Sequence, residues 1–226
     1  MGDTRLSIII PALNEAGGIA ETLRPLQILR RHGHEVILVD GGSRDATVVL
    51  AATGVDQVIH SSRGRAQQLN AGAHAARGQA LVFLHADTQL PPDADQLILH
   101  ALKRRLWGRF DVRLSGTHSG LRVIEKLMNW RSRLTGIATG DQAIFVRRET
   151  FLAVGGFPAI PLMEDIALSR SLKQLGRPQC LRACVTTSSR RWEQQGLIRT
   201  ILLMWWLRLA FWLGADPARL AQRYHS

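Results

Sequence analysis

The chain has 226 residues, a formal net charge of +11 and 46% hydrophobic residues. This length suits one compact domain with a short appendage, and the composition excludes a disordered, collagen-like or low-complexity protein. The cysteines, Cys180 and Cys184, are too few for a disulfide framework or a four-cysteine zinc site, and they fit a reducing compartment.

The positive charge is concentrated in the second half of the chain. Residues 1–100 carry 8 basic and 10 acidic side chains, whereas residues 101–226 carry 21 basic and 8 acidic ones. A basic half suits an anionic partner such as nucleic acid, a phosphorylated ligand or an anionic membrane surface, although arginines also simply solvate a surface. No stretch has the ~18 uninterrupted apolar residues of a membrane span, and no signal core opens the chain. We expect a cytoplasmic protein, with association at the cytoplasmic face of a membrane as an open alternative.

The first half alternates short apolar runs with helical stretches. The runs predict strands at 6–11, 35–40, 58–60 and 80–85, and the stretches between them predict helices at 19–31, 44–52, 65–76 and 93–105. Near-continuous apolar strands separated by helices indicate βαβ units. The sequence therefore predicts an α/β fold with a mostly parallel sheet flanked by helices.

The second half is less regular. It predicts strands at 110–114 and 143–146, helices at 121–134 and 164–175, and a hydrophobic helical tail. We divide the chain into a main domain, 1–195, and the tail, 196–226. Arg199 and Arg208 are nine residues apart and so lie on opposite faces of the tail helix, which is not cleanly amphipathic. Docking on the main domain, a membrane-interface position and a homodimer contact are the three interpretations of this helix.

Polar residues follow three of the predicted strands. Asn14 and Glu15 follow the first, Asp40 the second, and His85 and Asp87 the fourth. Ligands of open α/β sheets bind at the carboxyl ends of strands, so these residues predict a binding site. Two further acids, Asp45 and Asp93, are interpreted as helix caps. The turn after the first predicted strand lacks G-x-G-x-x-G, which argues against a dinucleotide dehydrogenase. No P-loop motif occurs in the sequence, which argues against a P-loop nucleotidase.

Six segments in order resemble the motifs of family 2 glycosyltransferases, which have the GT-A (Rossmann-like) fold. They are S-I-I-I-P-A-L-N-E, V-D-G-G-S-R-D-A-T, R-A-Q-Q-L-N-A-G, F-L-H-A-D-T, E-D and R-R-W, spread over residues 5–192. The F-L-H-A-D-T and G-D-Q variant is most similar to a small bacterial subgroup labelled arsenosugar-biosynthesis glycosyltransferases. Two departures stand out: His85 replaces the first Asp of D-x-D, and Ser188 replaces the Gln of Q-x-x-R-W.

The resemblance implies transfer of a sugar from a nucleotide-diphosphate sugar to a small-molecule or lipid-linked acceptor. It implies a Mn²⁺ or Mg²⁺ ion held by Asp87, with His85 as a second ligand or as a residue that points into the sheet. Asp165 is the expected general base, with Glu164 as its substitute. One base and one displacement imply inversion at the anomeric carbon.

The remaining site residues are assigned by the resemblance, apart from one turn that is assigned by its position. The turn Gly140–Gln142, by its place between a polar turn and the strand at 143–146, is expected on the acceptor side, with Gly140, Asp141 and Gln142 as its wall. Asp141 is either a helper carboxylate or a turn residue. The nucleotide-sugar site is expected to consist of Pro11, Leu13, Asn14, Glu15, Asp40, Gly41, Arg65, Asn70, Ala86, Asp87, Arg191 and Trp192.

Three other functions are alternatives to this one. A catalytically impaired GT-A nucleotide-binding protein is suggested by His85 in the D-x-D position. A sugar-nucleotide pyrophosphorylase needs a glycine-rich loop after the first strand, which the sequence lacks. A basic nucleic-acid-binding module needs aromatic residues interleaved with arginine on exposed strands, whereas here the strands are apolar and the aromatic residues cluster in the tail. We therefore expect no nucleic-acid partner.

Overall fold

The computed structural model describes residues 5–225, apart from the side chains of Arg191, Gln195 and His225. Across these residues one sheet has the strand order β3-β2-β1-β4-β7-β6-β8-β5. Its strands are β1 (Leu6–Ala12), β2 (Glu35–Asp40), β3 (Gln57–His60), β4 (Ala80–Phe83), β5 (Thr88–Gln89), β6 (Trp107–Leu114), β7 (Phe145–Arg147) and β8 (Gln179–Thr187).

Helices connect the strands and cover both faces of the sheet. The nine-residue and longer helices are α1 (Ile19–Arg31), α3 (Arg65–Ala75), α4 (Ala94–Leu102), α5 (Ser119–Thr135), α7 (Glu164–Leu175), α9 (Leu197–Trp212) and α10 (Pro217–His225). The short helices are α2 (Thr47–Ala51), α6 (Arg148–Ala153) and α8 (Arg190–Gln195), and Gly140–Gln142 forms one turn of 3₁₀ helix. We call this last segment the 140 turn.

The first half of the sheet is parallel, as the apolar runs predict. β1 lies between β2 and β4, with Ile9 opposite Ile37 on one side and Phe83 on the other. All three of these side chains are buried, because helices cover both faces of the sheet. This topology brings the carboxyl ends of β1, β2 and β4 to one edge.

The second half corrects the prediction of a mostly parallel sheet. β7 runs antiparallel to β4 and to β6, and β5 runs antiparallel to β8, whereas β6 and β8 are parallel. The described sheet is therefore mixed. β8 was not predicted, because its residues are mostly half-exposed and Arg182 and Cys184 interrupt its apolar pattern.

The predicted fourth strand is also shorter than expected. β4 ends at Phe83, and a turn follows in which the Thr88 N–H donates to the His85 carbonyl over 3.1 Å. His85 and Asp87 therefore lie in a loop and not on one face of a regular strand. His85 is half-buried and Asp87 is exposed.

The tail helices dock on the main body of the chain. Leu207 of α9 and Leu220 of α10 are buried against Leu162, Met163 and Ile166 at the start of α7. The opposite face of α9 is exposed. Among the described helices, none combines the length and apolar character needed to cross a bilayer. Docking is thus one of the roles of the tail, and its division from the main domain at residue 196 stays a prediction.

Candidate active site

The loops after β1 and β2 are joined by hydrogen bonds. Asn14 has a left-handed backbone, with φ of +56°, and its side-chain oxygen accepts from the Arg44 N–H over 2.9 Å. In return, the Asn14 N–H donates to Ser43 and the Glu15 N–H donates to Thr47. Asparagine tolerates this conformation better than most residues, so it suits the turn that aims Glu15 at the strand ends.

Asp40 is buried at the end of β2, on the other side of β1 from β4. Its carboxylate accepts from the N–H groups of Gly42 and Ser43, each over 3.1 Å, and lies 3.4 Å from His60 Nδ1. Burial by itself would raise the pKa of Asp40, but these hydrogen bonds hold it below its usual value. Asp40 is thus an ionised group that shapes the loop of Gly41 and Gly42.

Asp45 and Asp93, interpreted as caps, differ in the structure. Asp45 accepts from the Thr47 N–H over 3.0 Å at the start of α2 and also from the Ala16 N–H. Asp93 occupies the position before α4 without a side-chain capping hydrogen bond. Asp45 therefore bonds to the first residue of α2 from a position before its N-cap residue, Ala46, whereas Asp93 is the N-cap residue of α4 but lacks the side-chain bond of a cap.

Glu15 and Asp87 bring two carboxylates together beside the end of β4. Burial raises the pKa of Glu15, and the negative charge of Asp87 raises it further, against the opposing charges of Arg190 and His85. Two carboxylates that repel each other in this way attract a cation. No group of three or more His, Cys, Asp or Glu side chains in the described residues forms a metal site by itself. A cation here would therefore need oxygen ligands from elsewhere, as Mg²⁺ does when it binds through one or two carboxylates and substrate phosphates.

His85 faces the 140 turn. Its Nδ1 lies 3.4 Å from Asp141 Oδ1, and its ring packs so closely on Gly140 that an added Cβ would clash with it. Desolvation would raise the pKa of Asp141, but the hydrogen bond with His85 and the charges of His85 and Arg65 hold it below its usual value. The replacement of an aspartate by His85 thus creates a contact between the end of β4 and the 140 turn.

Asp165 adjoins the same turn. Its carboxylate accepts from the Gly140 N–H and from the Ile166 N–H, each over 2.7 Å. Glu164 is buried, and its pKa is raised by burial and by the charge of Asp165. Arg65, at the start of α3, lies 3.6 Å from Glu164. Asp165 is therefore oriented by two backbone groups, while Glu164 is paired with Arg65.

The structure brings these residues to one place. A small cavity is lined by residues from seven elements or loops: Arg65, Leu69, Phe83, His85, Gly140, Ile144, Phe157, Glu164 and Asp165. The charges of His85 and Asp87 also affect the pKa of Glu15. The loop after β4 therefore lies between the Glu15–Asp87 pair and the residues around Asp165. The convergence of Asp40 with these residues stays a prediction.

Other predicted site residues have structural contacts of their own. Both polar atoms of Asn70 bond to the backbone of Phe157, over 2.8 and 2.9 Å. The Ala86 carbonyl accepts from the Thr22 hydroxyl, and Gln142 is buried with its side-chain oxygen 3.3 Å from the Thr139 N–H. The ligand contacts of these residues stay predictions. The same holds for Pro11, Leu13 and Trp192, which are half-buried, and for Gly41, which is buried. The side chain of Arg191 lies outside the described residues.

Three arginines near the site were missed by the sequence analysis. The charge of Arg190 opposes the rise in the pKa of Glu15, although the R-R-W motif predicts its neighbour Arg191 as the site residue. Arg131 and Arg208 both interact with Asp165 and Asp141. For Arg208 the available signal was an arginine inside the otherwise apolar helix α9, which is costly unless it faces a partner or a ligand.

The comparisons with known proteins agree on the type of protein. A family model described as "Glycosyl transferase family 2" matches residues 7–152. An undecaprenyl-phosphate 4-deoxy-4-formamido-L-arabinose transferase of Pseudomonas fluorescens is 33% identical over 162 residues, which are 63% of this chain and 46% of that protein. The chain thus spans about half the length of this curated relative.

Two solved structures are similar in fold. The mannosyltransferase PcManGT from Pyrobaculum calidifontis, in complex with GDP-Man and Mn²⁺, has a TM-score of 0.65 and 22% identity, over 81% of this chain and 56% of that chain. Glucosyl-3-phosphoglycerate synthase from Mycobacterium tuberculosis, in complex with Mn²⁺, UDP and glucosyl-3-phosphoglycerate, has a TM-score of 0.61 and 17% identity, over 82% and 71%. These similarities confirm the expected GT-A-like α/β fold.

Proposed function

Because this chain belongs to glycosyl transferase family 2, we propose that it transfers a sugar from a nucleotide-diphosphate sugar to an acceptor. In this proposal the donor occupies the carboxyl ends of β1, β2 and β4, and the acceptor approaches from the 140 turn and α7. The main support for this proposal is a pair of contacts at the 140 turn: His85 contacts Asp141, and the Gly140 N–H donates to Asp165. These contacts join the end of β4 to the residue expected to act as base.

The Glu15–Asp87 pair supports a divalent cation, Mn²⁺ or Mg²⁺, on the donor side. Asp87 is exposed and its charge raises the pKa of Glu15, so a cation next to both would relieve their repulsion. When bound, such a cation neutralises the charge that develops on the departing diphosphate. The solved complexes of fold relatives with Mn²⁺ support the same assignment. His85 as a further ligand stays a prediction, since its Nδ1 faces Asp141.

Asp165 is the proposed general base. An acceptor oxygen forms a bond with the anomeric carbon, the bond from that carbon to the diphosphate oxygen breaks, and the proton of the acceptor oxygen passes to Asp165. Two backbone hydrogen bonds orient the carboxylate of Asp165 for this role. Glu164 positions the site through Arg65 and does not itself accept the proton. A single displacement gives inversion.

A lipid-linked acceptor is the finer part of the proposal. The curated relative from Pseudomonas fluorescens is named as a transferase of undecaprenyl phosphate. A cytoplasmic enzyme that meets such an acceptor at the membrane face would also account for the basic second half of the chain. The relative is not labelled as an arsenosugar-biosynthesis enzyme, so resemblance to that subgroup stays a prediction.

A donor panel tests the function. Purified protein is incubated with UDP- and GDP-sugars, with and without Mn²⁺, in the presence of vesicles that contain polyprenyl phosphate, and released nucleoside diphosphate is measured. We expect Mn²⁺-dependent release with at least one donor, and a loss of about 10²–10⁴-fold in Asp165→Asn. The matched control is Asp93→Asn, since Asp93 is exposed and makes no capping bond.

Thermal shift separates binding from turnover. The matching nucleoside diphosphate with Mn²⁺ should stabilise both wild type and Asp165→Asn, because the variant keeps the donor side intact. Binding without release by any donor would instead support a catalytically impaired GT-A protein. Stabilisation by an oligonucleotide but by no nucleoside diphosphate would contradict the proposal and favour the nucleic-acid alternative.

A further inference from the structure

A groove of about 700 Å³ runs between α5 and α9 and reaches the 140 turn. Its walls are largely apolar, with Leu127 and Trp130 from α5 and Trp205 and Leu209 from α9. Asp141, which contacts His85, also lines it. We call this feature the α5–α9 groove, and its position makes it continuous with the acceptor side of the candidate site.

The surface around the groove is exposed and apolar. On α5 the exposed residues recur every three or four positions, which places them on one face: Val123, Leu127, Trp130 and Leu134. On α9 the same spacing connects Ile198, Leu202, Trp205, Leu209 and Trp212. Trp130 and Trp205 are 62% and 60% exposed. Two adjacent apolar stripes of this kind mark a surface that meets an apolar partner.

Two arginines give the groove a cationic end. Arg131 and Arg208 both line it, and in Arg131 the Nε and Nη2 atoms are buried without a hydrogen-bond partner among the described residues. Burial and the nearby charge of Arg208 lower the pKa of Arg131 to about 10, against the opposing charge of Asp165. Burial also lowers the pKa of Arg208. Two neighbouring cations, one of which has buried donors without partners among the described residues, are unfavourable until an anion joins them.

We infer that the α5–α9 groove binds a membrane lipid with a phosphate headgroup, and that this lipid is the acceptor of the transfer proposed above. Arg131 and Arg208 bind the phosphate, because guanidinium groups present several N–H donors to phosphate oxygens. The hydrocarbon chain lies between the α5 and α9 walls. The exposed stripes rest on the bilayer, where tryptophan and arginine are favoured.

Charge selects this occupant over a second copy of the chain. A dimer through the stripes would cover apolar surface, but the carboxylate that lines the groove, Asp141, already contacts His85. An identical face therefore offers Arg131 and Arg208 of the other copy no uncommitted anion. A soluble phosphorylated acceptor would satisfy the arginines and leave the stripes in water. A lipid phosphate satisfies both features.

The groove reaches the acceptor side of the site, because Asp141 lines it together with Arg131 and Arg208. The adjoining Gly140 N–H donates to Asp165. With the phosphate as its monoanion, an oxygen of the headgroup forms the bond to the anomeric carbon and its proton passes to Asp165. The bond to the donor diphosphate breaks, and the nucleoside diphosphate leaves with the electron pair. This step rests on the proposed function, whereas binding of the lipid does not require a donor.

Vesicle co-sedimentation tests the groove directly. Full-length protein is mixed with phosphatidylcholine vesicles that contain polyprenyl phosphate, polyprenol or phosphatidylserine, and free inorganic phosphate is added as a competitor. We expect the tightest binding to polyprenyl phosphate. Arg131→Met and Arg208→Met should each weaken it about tenfold or more, because each removes a charge-assisted contact.

The matched control is Arg199→Met, which removes an exposed arginine from the same helix. Arg199 is not among the groove residues, so this variant should bind within about twofold of wild type. Both groove variants should fold, since an apolar side chain in place of a desolvated cation is often neutral or stabilising. Melting curves check this, and Arg131→Lys, which keeps a charge, should recover part of the binding.

Three results would overturn the inference. They are equal binding of polyprenol and polyprenyl phosphate, an equal loss in Arg199→Met and the groove variants, and a stable dimer that binds none of the vesicles. Failure of every donor to release nucleoside diphosphate would count against the proposed function alone, because lipid binding is measured without donor. If both hold, the groove variants should raise the KM for lipid and leave the donor KM unchanged.

Discussion

The donor side and the acceptor side of the site differ in how their polar groups are satisfied. On the donor side, Asn14 and Asp40 are held by backbone N–H groups of the loop after β2. On the acceptor side, Arg131 keeps buried donors without partners among the described residues, next to exposed tryptophans. Polar groups whose hydrogen bonds are all made hold a site in its binding geometry before the ligand arrives. Polar groups without partners gain the most hydrogen-bond energy when a ligand binds. The donor loops are therefore preorganised, and the α5–α9 groove is completed by its occupant.

The largest effect is expected from Asp87→Asn on the donor side. Loss of this carboxylate removes the charge that pairs with Glu15 to attract a cation, so turnover at fixed Mn²⁺ should fall about 100-fold or more. Nucleoside diphosphate release across a Mn²⁺ titration measures it. The control Asp93→Asn lies in the next loop and should titrate like wild type. Turnover and Mn²⁺ dependence that stay unchanged would remove Asp87 from the cation site.

Gly140→Ala tests the contact that joins the two sides. The added methyl group would clash with His85 and shift the turn whose N–H orients Asp165, so turnover should fall about 10–100-fold. Nucleotide affinity should change less than turnover, because the donor-side residue that the added methyl group meets is His85. Gly17→Ala is the control, since an added Cβ there meets no atom within 4 Å. A variant with normal turnover would show that His85 and Asp165 are not coupled through the turn.

Asp40→Asn compares the stability of the two sides. The amide cannot accept all the hydrogen bonds that the buried carboxylate receives, so the free energy of unfolding should fall by about 1–3 kcal/mol. Arg131→Met, on the acceptor side, should cost nothing. Chemical denaturation of both variants measures the difference. An equal loss in both would contradict the contrast between a satisfied and an unsatisfied side.

The smallest effect concerns pH and the scaffold behind the donor loops. His34 accepts from the Leu6 N–H at the start of β1, and burial lowers its pKa, against the opposing charge of Asp95. The unfolded chain therefore binds the proton more readily than the folded one. Stability should be complete above the ordinary histidine pKa of about 6.5 and should decline as the pH falls below it.

Melting temperatures between pH 8 and pH 5 measure this decline. His34→Gln retains an acceptor for the Leu6 N–H and should flatten the slope, while His100→Gln, at an exposed position of α4, should keep the wild-type slope. A slope that is the same in all three proteins would show that His34 does not contribute.

Much of the donor side could be predicted because its signals are local. Asp40 and Glu15 follow apolar strands directly, and the bounds predicted for α1, β2 and α7 agree with the structure. The 140 turn and Asp165 were recognised only through family motifs. Their contact spans 25 residues of sequence, so no periodic pattern records it.

The errors have physical causes as well. β8 is half-exposed and carries polar residues, so its strand character depends on pairing with β6. His85 was expected to share a strand face with Asp87, but β4 ends two residues before it. Arg131 and Arg208 were missed because their environment arises only where α5 meets α9.

The sequence by itself determined the family and the places of the first four strands along the chain. It also determined the acids at the strand ends and the opposite orientation of Arg199 and Arg208. Each of these depends on local spacing or on a contiguous motif. Tertiary structure alone decided which strands of the sheet pair in parallel and which antiparallel. It also decided the contact of His85 with Asp141 and the existence of the α5–α9 groove. These features form between segments far apart in the chain. Packing, and not any local pattern, sets which side chains meet there.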